Sequence, residues 1–140
     1  MSKASIGPEH FNDFDKVYLP SHMGIVITDV QPGSISATMK VEQHHLAPNG
    51  YLHAGSVVTL ADTAAGYGCV ASLPEGAQSF TTIELKSNFL GTAREGSVVC
   101  EAELSHGGRT TQVWDAVVKA QESGKTIAMF RCTQMILYPR

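Results

Sequence analysis

The apolar positions divide the chain into a helical opening, two strands, a helix of small residues and four more strands. In PEHFNDFDKVYL, residues 8 to 19, Phe11, Phe14, Tyr18 and Leu19 recur at near-helical spacing. Pro8 and Glu9 suit a helix start, and Pro20 a stop. Gly24 to Val30 and Ser34 to Val41, joined by the turn-forming QPGS, predict two strands. The stretch 42 to 53, EQHHLAPNGYLH, carries Pro48, Asn49 and Gly50 and predicts an irregular loop.

Residues 54 to 72 read AGSVVTLADTAAGYGCVAS, and ten of the nineteen are Gly, Ala or Ser. The length, the alanines and the absence of proline predict a helix. Gly55, Gly66 and Gly68 would cost an exposed helix roughly 3 kcal/mol relative to alanine, so tertiary packing must hold this one. A helix that is small and apolar all round belongs in the interior, where neighbouring backbone can come close. Beyond Pro74 and Gly76 the period changes to two. Ile83, Leu85, Ser87 and Phe89 alternate with Thr82, Glu84, Lys86 and Asn88, and Val98, Cys100, Ala102 and Leu104 with Val99, Glu101, Glu103 and Ser105. Two further strands, Thr110 to Ala120 and Thr126 to Tyr138, follow turns at Gly107-Gly108 and Ser123-Gly124. This order implies an α+β fold, an antiparallel sheet with one helix lying on it.

The 140 residues fit one domain spanning 1 to 140, with 1 to 22 as an N-terminal helical segment. A hydrophobic share of 43% with 16% charged residues is globular, and a net charge of −3 excludes a general electrostatic grip on nucleic acid or anionic lipid. Cys69, Cys100 and Cys132 form no CxxC pair and sit among apolar neighbours, which reads as three buried free thiols in a reducing compartment. MSKASIGPEH lacks the apolar run of a secretory signal, and the longest uncharged stretch, Gln43 to Ala61, holds three His, Pro48 and Asn49, unlike a membrane span. A cytoplasmic protein without membrane association is expected.

Between Gln43 and Pro74 the one formal charge is Asp62, in the middle of the helix. Its helical neighbours Gly55, Val58, Thr59, Ala65, Gly66 and Cys69 include no cation, and only Thr59 could donate a hydrogen bond. An unpaired buried carboxylate costs several kcal/mol, commonly reduced by a raised pKa, and such a group marks a functional site. A solvent-facing Asp62, or one paired with Arg94 or Arg109 from a distant strand, is the structural alternative. At the start of the helix, the backbone N–H groups of Ala54 and Gly55, beside His53, lack intrahelical partners and lie at the positive end of the dipole, ready for an anion or a developing oxyanion. Asp62 is about 12 Å of helix rise beyond Ala54, so one helix cannot apply both to the same atom. If both act on one substrate, two antiparallel helices across a two-fold axis must supply them, giving a dimer with two interface sites.

NGYLHAGSVVTLADTAAGYG, TTIELKSNFLGTAREG and HGGRTTQVW resemble the hotdog-fold acyl-CoA thioesterases, closest to the PaaI-like branch that cleaves phenylacetyl-, hydroxybenzoyl- or fatty acyl-CoA. The likeness covers about residues 24 to 138 and is most specific at His53, Gly55 and Asp62. It implies a long antiparallel sheet wrapped around one central helix, a homodimer with a continuous sheet and interface active sites, and pairing of dimers into a homotetramer. By position, Asp62 matches the acid that attacks the thioester or activates water, and Ala54 the residue whose N–H polarises the carbonyl, where relatives usually have Gly. Many members carry Asn or Gln six residues before the His; here that position is Ala47 and Asn49 stands four before, so either a remodelled loop lets Asn49 serve or the role is vacant. Thr82 matches a Ser or Thr that some relatives place in the site.

The implied activity is hydrolysis of an aryl or medium-chain acyl-CoA, with CoA as part of the substrate and neither cofactor nor metal. His44, His45 and His53 have no carboxylate or thiolate partner at ligand spacing; His53 is expected to order the loop before the helix. Residues 41 to 85 contain no Lys or Arg, whereas Lys86 to Arg140 contains seven. Arg109 with Thr110, then Arg94 and Lys86, are the candidates for the CoA phosphates, against the plainer reading of solvated strand-edge charges. The rival function is a non-enzymatic acyl-CoA sensor, which would need the pocket but not Asp62.

Overall fold

A computed structural model describes residues 6–140; residues 1–5 of the expected N-terminal helical segment lie outside them. The period-two runs become β1 (Ile25–Gln31), β2 (Ser34–Lys40), β3 (Ser79–Phe89), β4 (Ser97–Gly107), β5 (Thr111–Ala120) and β6 (Thr126–Leu137). They form one antiparallel sheet in the order β1-β2-β4-β5-β6-β3. The small-residue segment is helix α3 (Ala54–Ala71), which carries the chain from β2 to the opposite edge of the sheet. Leu60, Ala61, Ala64, Ala65 and Cys69 of α3 are buried, as are Met39, Cys100, Trp114 and Phe130 of the strands beneath.

Two glycines set how closely α3 lies on the sheet. A Cβ on Gly68 would stand 2.7 Å from the Trp114 ring, and one on Gly66 would stand 3.1 Å from Phe80 Cζ. The Trp114 indole N–H donates to Gln112 Oε1 at 2.7 Å, and Gln112 Nε2 donates to the Ser72 carbonyl at 2.9 Å, so a strand side chain caps the helix C-terminus. The three cysteines are free and buried, and burial pushes each thiol up to about 12.

The expected helix over 8 to 19 is broken. Helix α1 spans Pro8–Phe14, and a separate turn of helix, α2, spans Leu19–His22. Pro20 sits in the first turn of α2, where its missing N–H has no cost, rather than ending a helix. Asn12 clasps β1, accepting the Ile27 N–H and donating to the Ile27 carbonyl, both at 2.9 Å, beside a bulge between Ile27 and Asp29. The second departure is in β3. A bulge between Thr82 and Glu84 shifts the alternation, so Phe80 and Thr82 share the helix-facing side with Leu85, Ser87 and Phe89, opposite the buried Gln134, Cys132 and Phe130. Ile83, which simple alternation sets in one row with Leu85, Ser87 and Phe89, is the extra residue and is 53% exposed. Among the described residues, no helix is long and apolar enough to cross a membrane.

Candidate active site

The loop before α3 is built around His45. Its buried ring accepts the Glu42 N–H on Nδ1 at 3.0 Å, which leaves the proton on Nε2 to meet the Met23 carbonyl at 2.7 Å. Burial holds the imidazole below the ordinary histidine range, against the opposing pull of the Met23 carbonyl. The His45 carbonyl accepts from the His53 N–H at 3.0 Å and the Ser56 hydroxyl at 2.8 Å, pinning the start of α3. Between these anchors Asn49 Oδ1 accepts the Tyr51 N–H at 3.1 Å, and Gly50 takes the positive φ of 87° that the turn requires.

His53 is the N-cap of α3, and its Nδ1 accepts the Gly55 N–H at 2.7 Å. The Gly55 amide, expected to be free, is therefore occupied. A Cβ on Gly55 would meet Nδ1 at 3.0 Å, a tight contact from which the folded-back ring would have to shift by a few tenths of an ångström. The Ala54 N–H has no acceptor among the described residues. Ala54 is exposed and has a negative φ, so alanine presents this amide as well as glycine would.

Asp62 lies two turns further along α3. Its Oδ1 is buried without a hydrogen-bond partner, and no ion pair reaches it among the described residues. Thr59, the one local donor expected, gives its hydroxyl to the Gly55 carbonyl at 2.8 Å. Burial raises the Asp62 carboxyl above the ordinary carboxylate range. The carboxylate opens on a cleft of about 470 Å³ walled by Phe11 and Phe14 of α1, Tyr67 and Val70 of α3, and Phe80 of β3. Residues 53 to 55 of the same chain are absent from its lining.

The remaining candidates do not converge with Asp62 in one chain. Asn49 is exposed in its own turn. Thr82 donates to Gln134 Oε1 at 2.6 Å and so faces the helix side. The Arg94 guanidinium lies 5.1 Å from the Tyr51 ring centre, near the start of α3. Arg109 lies 5.0 Å from the Tyr138 ring, and its carbonyl accepts the Tyr138 hydroxyl. The Thr110 carbonyl is bound to the Ile136 N–H at 2.8 Å. Lys86 pairs across the outer face of the sheet with Arg131, which is itself bound to Asp115. Sequence reasoning missed the walls of the cleft. Phe11 and Phe14 read as one face of a helix, and nothing in their spacing says that this face meets Tyr67 and Phe80.

A helix of small residues packed against one six-stranded antiparallel sheet, carrying a half-buried acid whose Oδ1 has no partner among the described residues, is the layout of the hotdog fold. The sequence model of the thioesterase superfamily matches residues 49–127, and the chain belongs to that family of enzymes acting on thioester bonds. Among its relatives is the 1,4-dihydroxy-2-naphthoyl-CoA hydrolase of Listeria monocytogenes, 34% identical over 115 residues that cover 82% of this chain and 92% of that protein. A solved thioesterase of Haemophilus influenzae is 29% identical, covers 98% of this chain and 94% of its own, and superimposes with a TM-score of 0.90. A Staphylococcus aureus thioesterase, 28% identical over 84% of this chain and 97% of its own with a TM-score of 0.80, has been solved with a glutamine replaced by alanine, and separately with a glutamate replaced by alanine.

Proposed function

We propose that the protein hydrolyses an acyl-CoA thioester to the free acid and CoA, with Asp62 as nucleophile or general base. The Ala54 amide of a partner subunit holds the oxyanion. The observation that carries this reading is the buried Oδ1 of Asp62, without a partner among the described residues, in a mainly apolar cleft. A sensor has no use for such a charge, whereas a carboxylate kept from solvating or pairing is available to attack a carbonyl or to take a proton from water. The carbonyl becomes an oxyanion on attack, and an amide at a helix N-terminus is a preorganised donor for it.

The second subunit follows from the distance along α3 and from β3. This eleven-residue strand is the edge of the sheet and exposes Leu85 and Phe89 on its helix-facing side. Antiparallel pairing of β3 with its copy would continue the sheet and set the two α3 helices side by side in opposite directions. Exposed Met129, Met135 and Leu137 on the outer face of β6 give two such dimers a surface on which to pair into a tetramer.

The test is steady-state hydrolysis of a panel of aryl and straight-chain CoA esters by the wild type and Asp62→Asn. At least about a 10²-fold loss of kcat in a folded variant is expected. Unchanged turnover would overturn the assignment of Asp62, and acyl-CoA binding without turnover by the wild type would favour the sensor.

A further inference from the structure

We propose that His45 is a positioning residue for hydrolysis: its imidazole fastens the first turn of α3 to the sheet and so aims the Ala54 N–H at the oxyanion. This rests on the thioesterase reading of Asp62 and Ala54. His45 itself is buried beneath the loop and touches no substrate.

The tip of α3 has little packing of its own. His53, Ala54 and Gly55 are exposed, and the buried side chains of the helix begin at Ser56 and Val57. Hydrogen bonds hold the tip instead. The His45 carbonyl takes the His53 N–H and the Ser56 hydroxyl, one on each side of Ala54, and the Leu52 N–H donates to the Ala93 carbonyl at 3.0 Å. The Ala54 N–H lies in the rigid peptide plane that joins it to His53, so its direction follows the two groups gripped by the His45 carbonyl.

The ring places that carbonyl. His45 ends a single tight turn, Gln43–His45, and its ring stands between Met23, just before β1, and Glu42, just after β2. Those two strands are paired, with Ile25 opposite Met39. A neutral imidazole accepts on one edge and donates on the other, so one stiff side chain takes the Glu42 N–H and meets the Met23 carbonyl together. The path from sheet to oxyanion donor is short: β1 and β2, the His45 ring, the His45 carbonyl, the first turn of α3.

The experiment is a double-mutant cycle in the full-length enzyme, read as kcat and KM for benzoyl-CoA and hexanoyl-CoA. His45→Phe keeps a ring in the same space and loses both ring hydrogen bonds. Ser56→Ala loses only the hydroxyl that grips the His45 carbonyl. Each is expected to lower kcat about tenfold with KM within about twofold of wild type, because a slightly misplaced donor fails the transition state more than the bound substrate. In the Ala54→Pro background no donor is left to aim, and each lowers kcat by less than about twofold. Equal losses in both backgrounds would overturn the role of His45. So would a kcat within about twofold of wild type in Ser56→Ala and in folded His45→Phe; if His45→Phe does not fold, Ser56→Ala alone decides. Wild-type turnover in Ala54→Pro would overturn the oxyanion assignment and this proposal with it. Failure of the wild type to hydrolyse either ester would instead overturn the thioesterase reading.

Discussion

The His53 imidazole folds back over the helix it begins and takes the Gly55 amide on Nδ1 at 2.7 Å. Of the two amides at the tip of α3, this leaves the Ala54 N–H as the one open to a ligand. The cap also keeps the imidazole off that amide, so a single side chain both starts the helix and exposes its donor.

Ala54→Pro should abolish that donor with little damage to the fold. Proline is favoured at the first helical position, and the preceding His53, at φ −68° and ψ 138°, already has the extended backbone a following proline demands. We expect kcat to fall about 10²–10³-fold while the circular dichroism spectrum is preserved. Retained turnover would show that the oxyanion is held elsewhere.

Asp62→Asn should lose activity and gain stability. Burial disfavours the ionised form of the wild-type carboxyl, and the amide carries no charge at any pH. Because the folded-state pKa is raised, the wild type is relatively more stable below the ordinary value of 3.8 and loses that advantage as pH rises through the folded value. The variant's Tm should therefore exceed that of wild type at pH 7, with a difference that shrinks in acid. The acid limb of kcat/KM in the wild type should also have its midpoint above 3.8.

His45 makes the opposite contribution to stability. Its folded-state pKa is held below the ordinary 6.5, so its contribution is complete above that pH and is lost as pH falls towards the folded value. Nitrogen-detected NMR should find the ring more neutral at pH 6.5 than the about half expected of an unperturbed histidine, with its proton on Nε2. His45→Ala should cost about 2–4 kcal/mol, since two backbone partners and a buried side chain are lost together.

Gly68→Ala should destabilise by about 1–3 kcal/mol in chemical denaturation, although alanine is the better helix former. The added Cβ would lie 2.7 Å from Trp114 and 3.0 Å from Ile35 Cγ2. Trp114 cannot retreat without giving up Gln112. A neutral or stabilising result would mean that the helix can rise from the sheet at no cost.

Much of the fold was legible from period alone. The runs in β4, β5 and β6 and the proline-free alanine stretch of α3 each had one reading, and the boundaries agree within a residue or two. The β3 bulge left no mark, because one extra residue changes the facing of Thr82 without changing composition. Pro20 was ambiguous in principle, since proline suits the first turn of a helix as well as the segment after one. In the site, Asp62 stood out as the lone charge in a long uncharged tract. The capture of the Gly55 amide by His53 depends on a side-chain rotamer that sequence does not reveal. The candidate phosphate cations Arg94, Arg109 and Lys86 stay scattered in one chain, and their relation to the cleft depends on a partner that sequence pattern cannot position.

The central claim is that each site takes its acid from one subunit and its oxyanion donor from the other. It is tested most directly by refolding Asp62→Asn and Ala54→Pro chains together in equal amounts. Random pairing makes half of the dimers mixed, and each mixed dimer has one undamaged site, so turnover should recover to about a quarter of wild type. Activity no greater than that of the two separately refolded variants would contradict the account.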